Sequence, residues 1–139
     1  MNRLLLAALL VTGWFAVGCG GEAAPGPTTP TPPTSPTTST FASRLTVGGS
    51  ASRSFTATTT GTVTITLGNA AGLSTVVGLG IGVPNGGVSR CTLSTAVHTT
   101  AGTTAQIAAT VDPGAYCVVI YDIGTLTAEI DFTVTIVYP

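Results

Sequence analysis

The most constraining feature of the chain is an alternation of apolar residues with threonine, serine and small residues between positions 41 and 139. It is clearest in Gly61–Gly68, where Val63, Ile65 and Leu67 alternate with threonines. Successive side chains of a strand point to opposite faces of a sheet, so this pattern predicts a half-buried strand. The region has no helical apolar period long enough to predict a helix, and we therefore expect an all-β domain.

Similar segments separated by turn-forming residues predict further strands, at Leu45–Val47, Arg53–Thr58, Thr75–Val83, Val88–Leu93, Thr104–Val111, Ala115–Tyr121 and Ala128–Tyr138. Tight reversals are expected at Pro84–Gly87 and Asp112–Gly114, because proline fixes φ while asparagine and glycine tolerate positive φ. About eight short strands with this spacing predict an antiparallel β-sandwich. In the last strand one face is predicted to be core: Ile130, Phe132, Val134 and Ile136.

The N-terminal segment has the order of an export signal. Arg3 precedes an apolar run at Leu4–Val17, which is too short and too interrupted to cross a membrane comfortably. The residues Ala16-Val17-Gly18-Cys19 resemble the lipobox of bacterial lipoproteins. The resemblance implies removal of residues 1–18, lipidation of Cys19 and attachment to the cell envelope, at the outer membrane or cell surface. The alternative is an ordinary signal peptide cleaved near Ala23 or Ala24.

A linker is expected to follow Cys19 and extend to Thr40. From Pro27 to Thr40 every residue is proline, threonine or serine, a composition that cannot bury apolar surface. Its prolines favour extended polyproline II, so residues 19–40 are predicted to be a disordered stalk. The β-sandwich domain is predicted to span residues 41–139.

Charge excludes one class of partner. The chain has four arginines, no lysine and five carboxylates, so it lacks the basic patch that nucleic-acid binding requires. Membrane attachment would have to come from the lipid rather than from electrostatic attraction.

Cys91 and Cys117 are expected to form a structural disulfide, because an exported chain folds where disulfides persist. The bridge would close a loop of about 27 residues and contribute about 3.5 kcal/mol by the chain-entropy argument. A zinc site is disfavoured because two cysteines and one histidine are too few ligands. A redox pair is disfavoured because its cysteines are usually close in sequence.

The domain resembles the bacterial pre-peptidase C-terminal domain in several segments: Leu45–Gly48, Phe55–Ala57, Gly61–Leu67, Val111–Tyr121 and Phe132–Ile136. The resemblance implies a jelly-roll-like β-sandwich. Aligned in this way, Val118 and Ile120 point inward with Tyr116, and Cys117 and Tyr121 point outward with Val119. Calcium positions known in this family are not transferable, since there is no carboxylate between Glu22 and Asp112.

No residue pattern predicts catalysis. His98 is the only histidine, it lies in a Thr/Ser-rich stretch predicted to be a loop, and no nucleophile motif accompanies it. Asp122, Glu129 and Asp131 are candidates for a calcium site if the segment after Tyr121 is a hairpin connection. The favoured interpretation is an outward-facing polar edge. We expect no metal and no cofactor.

Binding is the remaining function class. Tyr121 and Tyr138 are possible ligand-binding residues if exposed, although packing at the edge of the core is the default for both. Gly78, Gly80 and Gly82 leave one strand face without side chains, which favours a close neighbour or a ligand. The sequence therefore predicts a non-catalytic binding or adhesion module for a polysaccharide or an envelope protein. The alternative is a structural or accessory envelope lipoprotein without its own ligand.

Overall fold

A computed structural model describes Gly26 and residues 34–70, 74–86 and 90–139. The predicted signal segment 1–18, Cys19 and most of the linker lie outside these residues. Eight strands form two four-stranded antiparallel sheets. They are β1 (Thr37–Leu45), β2 (Ser50–Ala57), β3 (Gly61–Ala70), β4 (Val77–Pro84), β5 (Cys91–Thr99), β6 (Ile107–Val111), β7 (Gly114–Tyr121) and β8 (Ile130–Tyr138).

The strand order is β1-β8-β3-β6 in one sheet and β2-β7-β4-β5 in the other. The first strand pairs with the last, the second with the seventh, the third with the sixth and the fourth with the fifth. This nested pairing is a long antiparallel ribbon rolled into two layers, which is the topology of an eight-stranded jelly roll. The predicted all-β, jelly-roll-like sandwich is confirmed.

The core lies between the two sheets and follows the predicted alternation. In β8 Phe132, Val134 and Ile136 are buried as predicted, whereas Ile130 at the start of the strand is half-buried against the core. In β7 Val118 and Ile120 are buried. Among the described residues no polar or charged side chain is buried. The remaining core residues are aliphatic or aromatic: Phe41, Leu45, Phe55, Ala57, Val63, Ile65, Leu67, Ala70, Val77, Leu79, Ile81, Ala101, Ile107, Val111 and Leu126.

Strand β1 begins earlier than the sequence indicates. It starts at Thr37, inside the predicted linker, and ends at Leu45, where the predicted strand starts. Its whole length pairs with β8, and it buries Phe41 and Leu45 but few other side chains. An edge strand with so few buried residues lacks the alternation that marks a strand in sequence.

One further strand and one connection also differ from expectation. Strand β5 extends to Thr99, so His98 lies in a strand and not in a loop. Strands β7 and β8 lie in different sheets, so the segment between Tyr121 and Ile130 crosses the sandwich and is not a hairpin connection. The reversal predicted at Pro84 joins β4 to β5, with Gly86 at positive φ and the Asn85 amide donating to the Arg90 carbonyl.

Candidate functional site

The outer face of the β2-β7-β4-β5 sheet is built around the three alternate glycines of β4, and we call it the glycine face. Residues that are paired across neighbouring strands lie side by side on this face. One such line across the four strands contains Ser50, Tyr121, Gly78 and His98. None of the residues on this face is Asp, Glu, Lys or Arg. They are Ser50, Ser52 and Ser54 on β2, Tyr121, Val119 and Cys117 on β7, Gly78, Gly80 and Gly82 on β4, and His98, Ala96 and Leu93 on β5.

The ring of Tyr121 lies flat over Gly78. A Cβ placed on Gly78 would overlap three atoms at the hydroxyl end of the ring, Cζ, Cε1 and Cε2, at similar distances. A ring approached by its edge would present one atom much closer than the others, so it is the ring face that covers the glycine. The side chain remains half-exposed, and its hydroxyl has no hydrogen-bond partner among the described residues.

Leu93 of β5 covers Gly80, the next glycine along β4. Its two terminal methyl groups are both 2.9 Å from the position that a Cβ on Gly80 would take. The glycines therefore accommodate side chains from β7 and β5 that lie along the sheet surface. The part of the chain that the structure describes contains no concave pocket, so this site is an open face.

The disulfide joins the far end of the glycine face to the tip of the β4–β5 hairpin. Cys91 and Cys117 are bonded, and their Cα atoms are 6.0 Å apart, which confirms the predicted bridge. Strands two places apart in a flat sheet lie about 9.6 Å from each other. The start of β5 at Cys91 must therefore bend over the outer face towards β7. A β-bulge at Ser94 of β5, opposite Ile81 and Gly82, lies where this bend begins, as bulges bend the strands that contain them.

Tyr138 lies apart from this face. It is on the inward side of β8 and packs against the core. Its ring centroid is 4.8 Å from that of Phe55, which also stacks on Tyr116 at 5.7 Å. The two candidate binding tyrosines are therefore not brought together, and Tyr138 has the core-edge position that is the default for such a residue.

Asp122 organises the loop after β7. Its Oδ2 accepts a hydrogen bond of 2.8 Å from the Gly48 amide, and its Oδ1 accepts from the amides of Gly124, Thr125 and Leu126. The Gly48 amide is the main cause of a lowered pKa for this carboxyl, and the other three amides act in the same direction. Gly48 and Gly124 both have positive φ, a conformation that favours glycine. Asp122 therefore ties two loops together.

Glu129 and Asp131 are placed differently. Arg44 donates from Nη1 to Glu129 at 2.9 Å and from Nε to Asp131 at 3.2 Å, and all three side chains are largely exposed. These two carboxylates belong to an ion-pair cluster at the edge of the other sheet, whereas Asp122 is committed to backbone amides. Among the described residues no three His, Cys, Asp or Glu side chains converge on a possible metal position.

His98 is exposed on the glycine face, opposite Gly78 in the strand register. Within the described ranges it forms no ion pair with a carboxylate and no hydrogen bond with a serine. Its position near Tyr121 could not be recognised from sequence, because it depends on the pairing of β4 with both β5 and β7.

The chain matches no known protein family and no curated protein. The residues that the structure describes include no helix able to span a membrane. The site must therefore be interpreted from its own geometry.

Proposed function

We propose that this protein is a lipid-anchored module of the bacterial cell envelope that binds a neutral polysaccharide without catalysing a reaction. The observation that supports this best is the ring of Tyr121, which lies flat on Gly78 in an open and uncharged sheet face. The resemblance to the pre-peptidase C-terminal domain is in keeping with an exported module of this kind.

A flat ring that is supported from below offers its other face to a ligand. The carbon–hydrogen face of a pyranose ring is apolar and stacks on such an aromatic surface, while its hydroxyl groups need hydrogen-bond partners at the rim. The hydroxyl of Tyr121, which no described residue hydrogen-bonds, lies in line across the strands with the side chains of Ser50 and His98. This combination of one aromatic ring and several neutral polar groups suits a sugar.

The charge of the face favours a neutral glycan over an acidic one. An acidic polysaccharide is normally held by lysine or arginine, as charge-assisted hydrogen bonds are the strong ones. The glycine face has neither residue type. A neutral polymer loses little by contacting an uncharged surface, and several repeats could lie along the row of strands.

The position of the tether is compatible with this role. Strand β1 begins at Thr37, which pairs with Tyr138 at one end of the sandwich. Tyr121 pairs with Ser50, directly after the turn that ends β1, at the opposite end. A chain anchored through Cys19 would therefore join the domain at the end farther from Tyr121, which leaves the ring accessible beyond the membrane surface.

The binding experiment compares Tyr121→Ala with the wild-type protein in co-sedimentation with insoluble neutral polysaccharides and on a glycan array. We expect a loss of affinity of about fivefold or more, because one stacked aromatic contributes about 1–3 kcal/mol by analogy with base stacking. Tyr121→Phe should keep most of the affinity. The matched control is Thr135→Ala on the outer face of the other sheet, which should bind normally.

The outcomes are distinct if the melting temperature of each variant is measured as well. Wild-type protein that binds no neutral glycan would contradict the proposal and favour the structural or accessory role. Binding only to proteins would contradict the choice of ligand. Retention of glycan binding by folded Tyr121→Ala would contradict the site.

The anchor has its own test. Mass spectrometry of the mature N-terminus should find acylated Cys19, and Cys19→Ser should release the protein from the membrane fraction. An unmodified N-terminus at Ala23 or beyond would contradict lipid attachment and make the protein a freely secreted domain.

A further inference from the structure

Strand β5 is an edge strand of the β2-β7-β4-β5 sheet, and no described strand pairs with its outer side. It is nine residues long, and most of its side chains are exposed on both faces. An edge of this kind presents unpaired backbone amides and carbonyls in the geometry that another strand would complement.

Strand β1 has one charge, Arg44, near its end, and residues 37–43 before it are uncharged. The other two edges have features that discourage pairing, since β2 has Arg53 near its centre and β6 is only five residues long. Charges and short length are the usual protection of natural sheet edges.

Strand β5 lacks this protection in its second half. Its sequence has no proline and no Asp, Glu, Lys or Arg, and it is rich in β-branched residues. The bulge in β5 falls at Ser94, since Ile81 pairs with Thr95 and Gly82 with Leu93. Residues 95–99 after the bulge pair regularly with β4, so they offer a straight edge of five residues.

We propose that a second copy of this chain pairs antiparallel with β5 along residues 95–99, about a two-fold axis at Val97. In this register Val97 faces Val97 of the second copy, Thr95 faces Thr99, and Ala96 faces His98. Cross-strand β-branched and Thr–Thr pairs of this kind stabilise sheets, and no like charges are opposed. The two-fold axis makes the interface isologous and closed, so it yields a dimer and not a fibre.

The pairing would unite the two glycine faces. A two-fold axis perpendicular to the sheet keeps both outer faces on the same side of a continuous eight-stranded sheet. Five inter-strand spacings would separate the β7 strands of the two copies, about 24 Å at the usual spacing. If the proposed glycan binding is correct, the two Tyr121 rings would form a bivalent surface.

The interface is small, and this sets its expected strength. Five paired residues from each copy bury less than the roughly 1,200–2,000 Å² of a stable protein interface. We expect weak association in dilute solution. Attachment to a shared membrane would raise the effective concentration of the second copy and favour pairing.

Cysteine cross-linking tests the register directly. In a Cys19→Ser background, Val97→Cys places two thiols opposite each other across the axis, with Cβ atoms about 4.5–5.5 Å apart. Thr95→Cys is the matched control, because its two copies would be about 14 Å apart along the strands. Under mild oxidation at high protein concentration, Val97→Cys should form at least tenfold more cross-linked dimer than Thr95→Cys.

Equal or absent cross-linking of the two variants would overturn the proposal. The measurement contains no glycan, so its failure would leave the proposed role of Tyr121 unaffected, and the reverse also holds.

Light scattering at rising concentration gives a second readout without added thiols. Val97 packs partly against the core, so the melting temperature of Val97→Lys is measured first. Folded Val97→Lys should remain monomeric because it opposes two ammonium groups, whereas Thr56→Lys on β2 should self-associate like the wild type. Wild-type protein that stays monomeric at every concentration, together with no Val97→Cys cross-link, would also overturn the proposal.

Discussion

The two outer faces of the sandwich have the same architecture but very different surfaces. Each belongs to a four-stranded antiparallel sheet whose inner face is a continuous apolar core. On the glycine face β4 presents glycines, which have no side chains, and the side chains of Tyr121 and Leu93 lie flat over two of them. The opposite face, which we call the threonine face, is covered by upright side chains on adjacent strands: Thr38, Thr40, Thr62, Thr64, Thr66, Thr110, Thr133 and Thr135.

The difference shows how one sheet can be specialised while the other remains generic. β-Branched threonines suit any pleated, half-exposed surface and protect the strands beneath them. Alternate glycines weaken a strand, so their presence in β4 has to be offset by other contacts. The disulfide and the two covering side chains supply those contacts. The glycine face should therefore be the more sensitive of the two to mutation.

The largest expected effect is loss of the disulfide. The double variant Cys91→Ser/Cys117→Ser should lose about 3.5 kcal/mol of unfolding free energy, as the unfolded chain regains the freedom of the closed loop. Urea denaturation measures this loss. Hydrogen exchange should also increase in β5 and at the tip of the β4–β5 hairpin, while β3 and β8 remain protected.

The control for this variant is a pair on the threonine face. Thr62 and Thr110 face each other across β3 and β6, so Thr62→Val/Thr110→Val removes two exposed hydroxyls without opening a loop. We expect a change within about 0.5 kcal/mol, as for most surface substitutions. Equal losses for the two double variants would contradict the contrast between the faces.

The second effect compares two glycines at β-bulges. A Cβ on Gly82 would overlap the backbone carbonyl of Thr92, which no side-chain rotation can relieve, so Gly82→Ala should cost about 1–3 kcal/mol. A Cβ on Gly68, at the bulge of β3, would contact only the Thr133 carbonyl at 3.8 Å. Gly68→Ala should be neutral or stabilising by up to about 1 kcal/mol. Thermal unfolding of both variants tests this, and the opposite ranking would show that the close packing of β4 and β5 is not what requires glycine.

The third effect depends on pH. The pKa of Asp122 is lowered from its ordinary value of 3.8, so the folded state favours the carboxylate. Its contribution to stability is complete above that ordinary value and is lost as the pH falls through the lower pKa of the folded state. Asp122→Asn should lower the melting temperature at pH 7, and the difference from wild type should shrink in acid.

Asp131→Asn is the control for the carboxylate substitution, since Asp131 is 75% exposed and, among the described residues, its side chain pairs with Arg44 alone. Its melting temperature at pH 7 should stay closer to that of the wild type than that of Asp122→Asn. A larger effect at Asp131 would show that the ion pairs beside the threonine face, and not the loop contacts of Asp122, dominate the electrostatic stability.

Sequence alternation predicted the strands that bury one whole face, and it failed where burial does not alternate. Through the centre of β8 the buried residues Phe132, Val134 and Ile136 alternate with more exposed ones, so its inward face was predictable. Strand β5 is exposed almost throughout, and its second half therefore looked like a loop that contained His98. Strand β1 buries only Phe41 and Leu45 among mostly exposed residues. In both edge strands, pairing with a neighbour rather than burial determines the conformation.

The candidate site could be predicted only in part for a related reason. The alternate glycines indicated that one strand had a bare face, and the parity of β7 indicated that Tyr121 pointed outward. That Tyr121 covers Gly78 depends on the register between β4 and β7, which no local pattern specifies. The role of Asp122 also depends on a distant partner, the Gly48 amide in the turn between β1 and β2.

The smallest expected effect is loss of the ion-pair cluster beside the threonine face. Arg44 is 69% exposed, and exposed ion pairs contribute about 0–1 kcal/mol, so Arg44→Ala should change the unfolding free energy by less than about 1 kcal/mol. Salt should reduce even this difference, because the charges are screened by solvent ions. The measurement is urea denaturation at low and high salt. A loss above about 2 kcal/mol that persists in high salt would mean that Arg44 stabilises β1 through packing of its aliphatic stem, and the threonine face would then be less tolerant than its surface indicates.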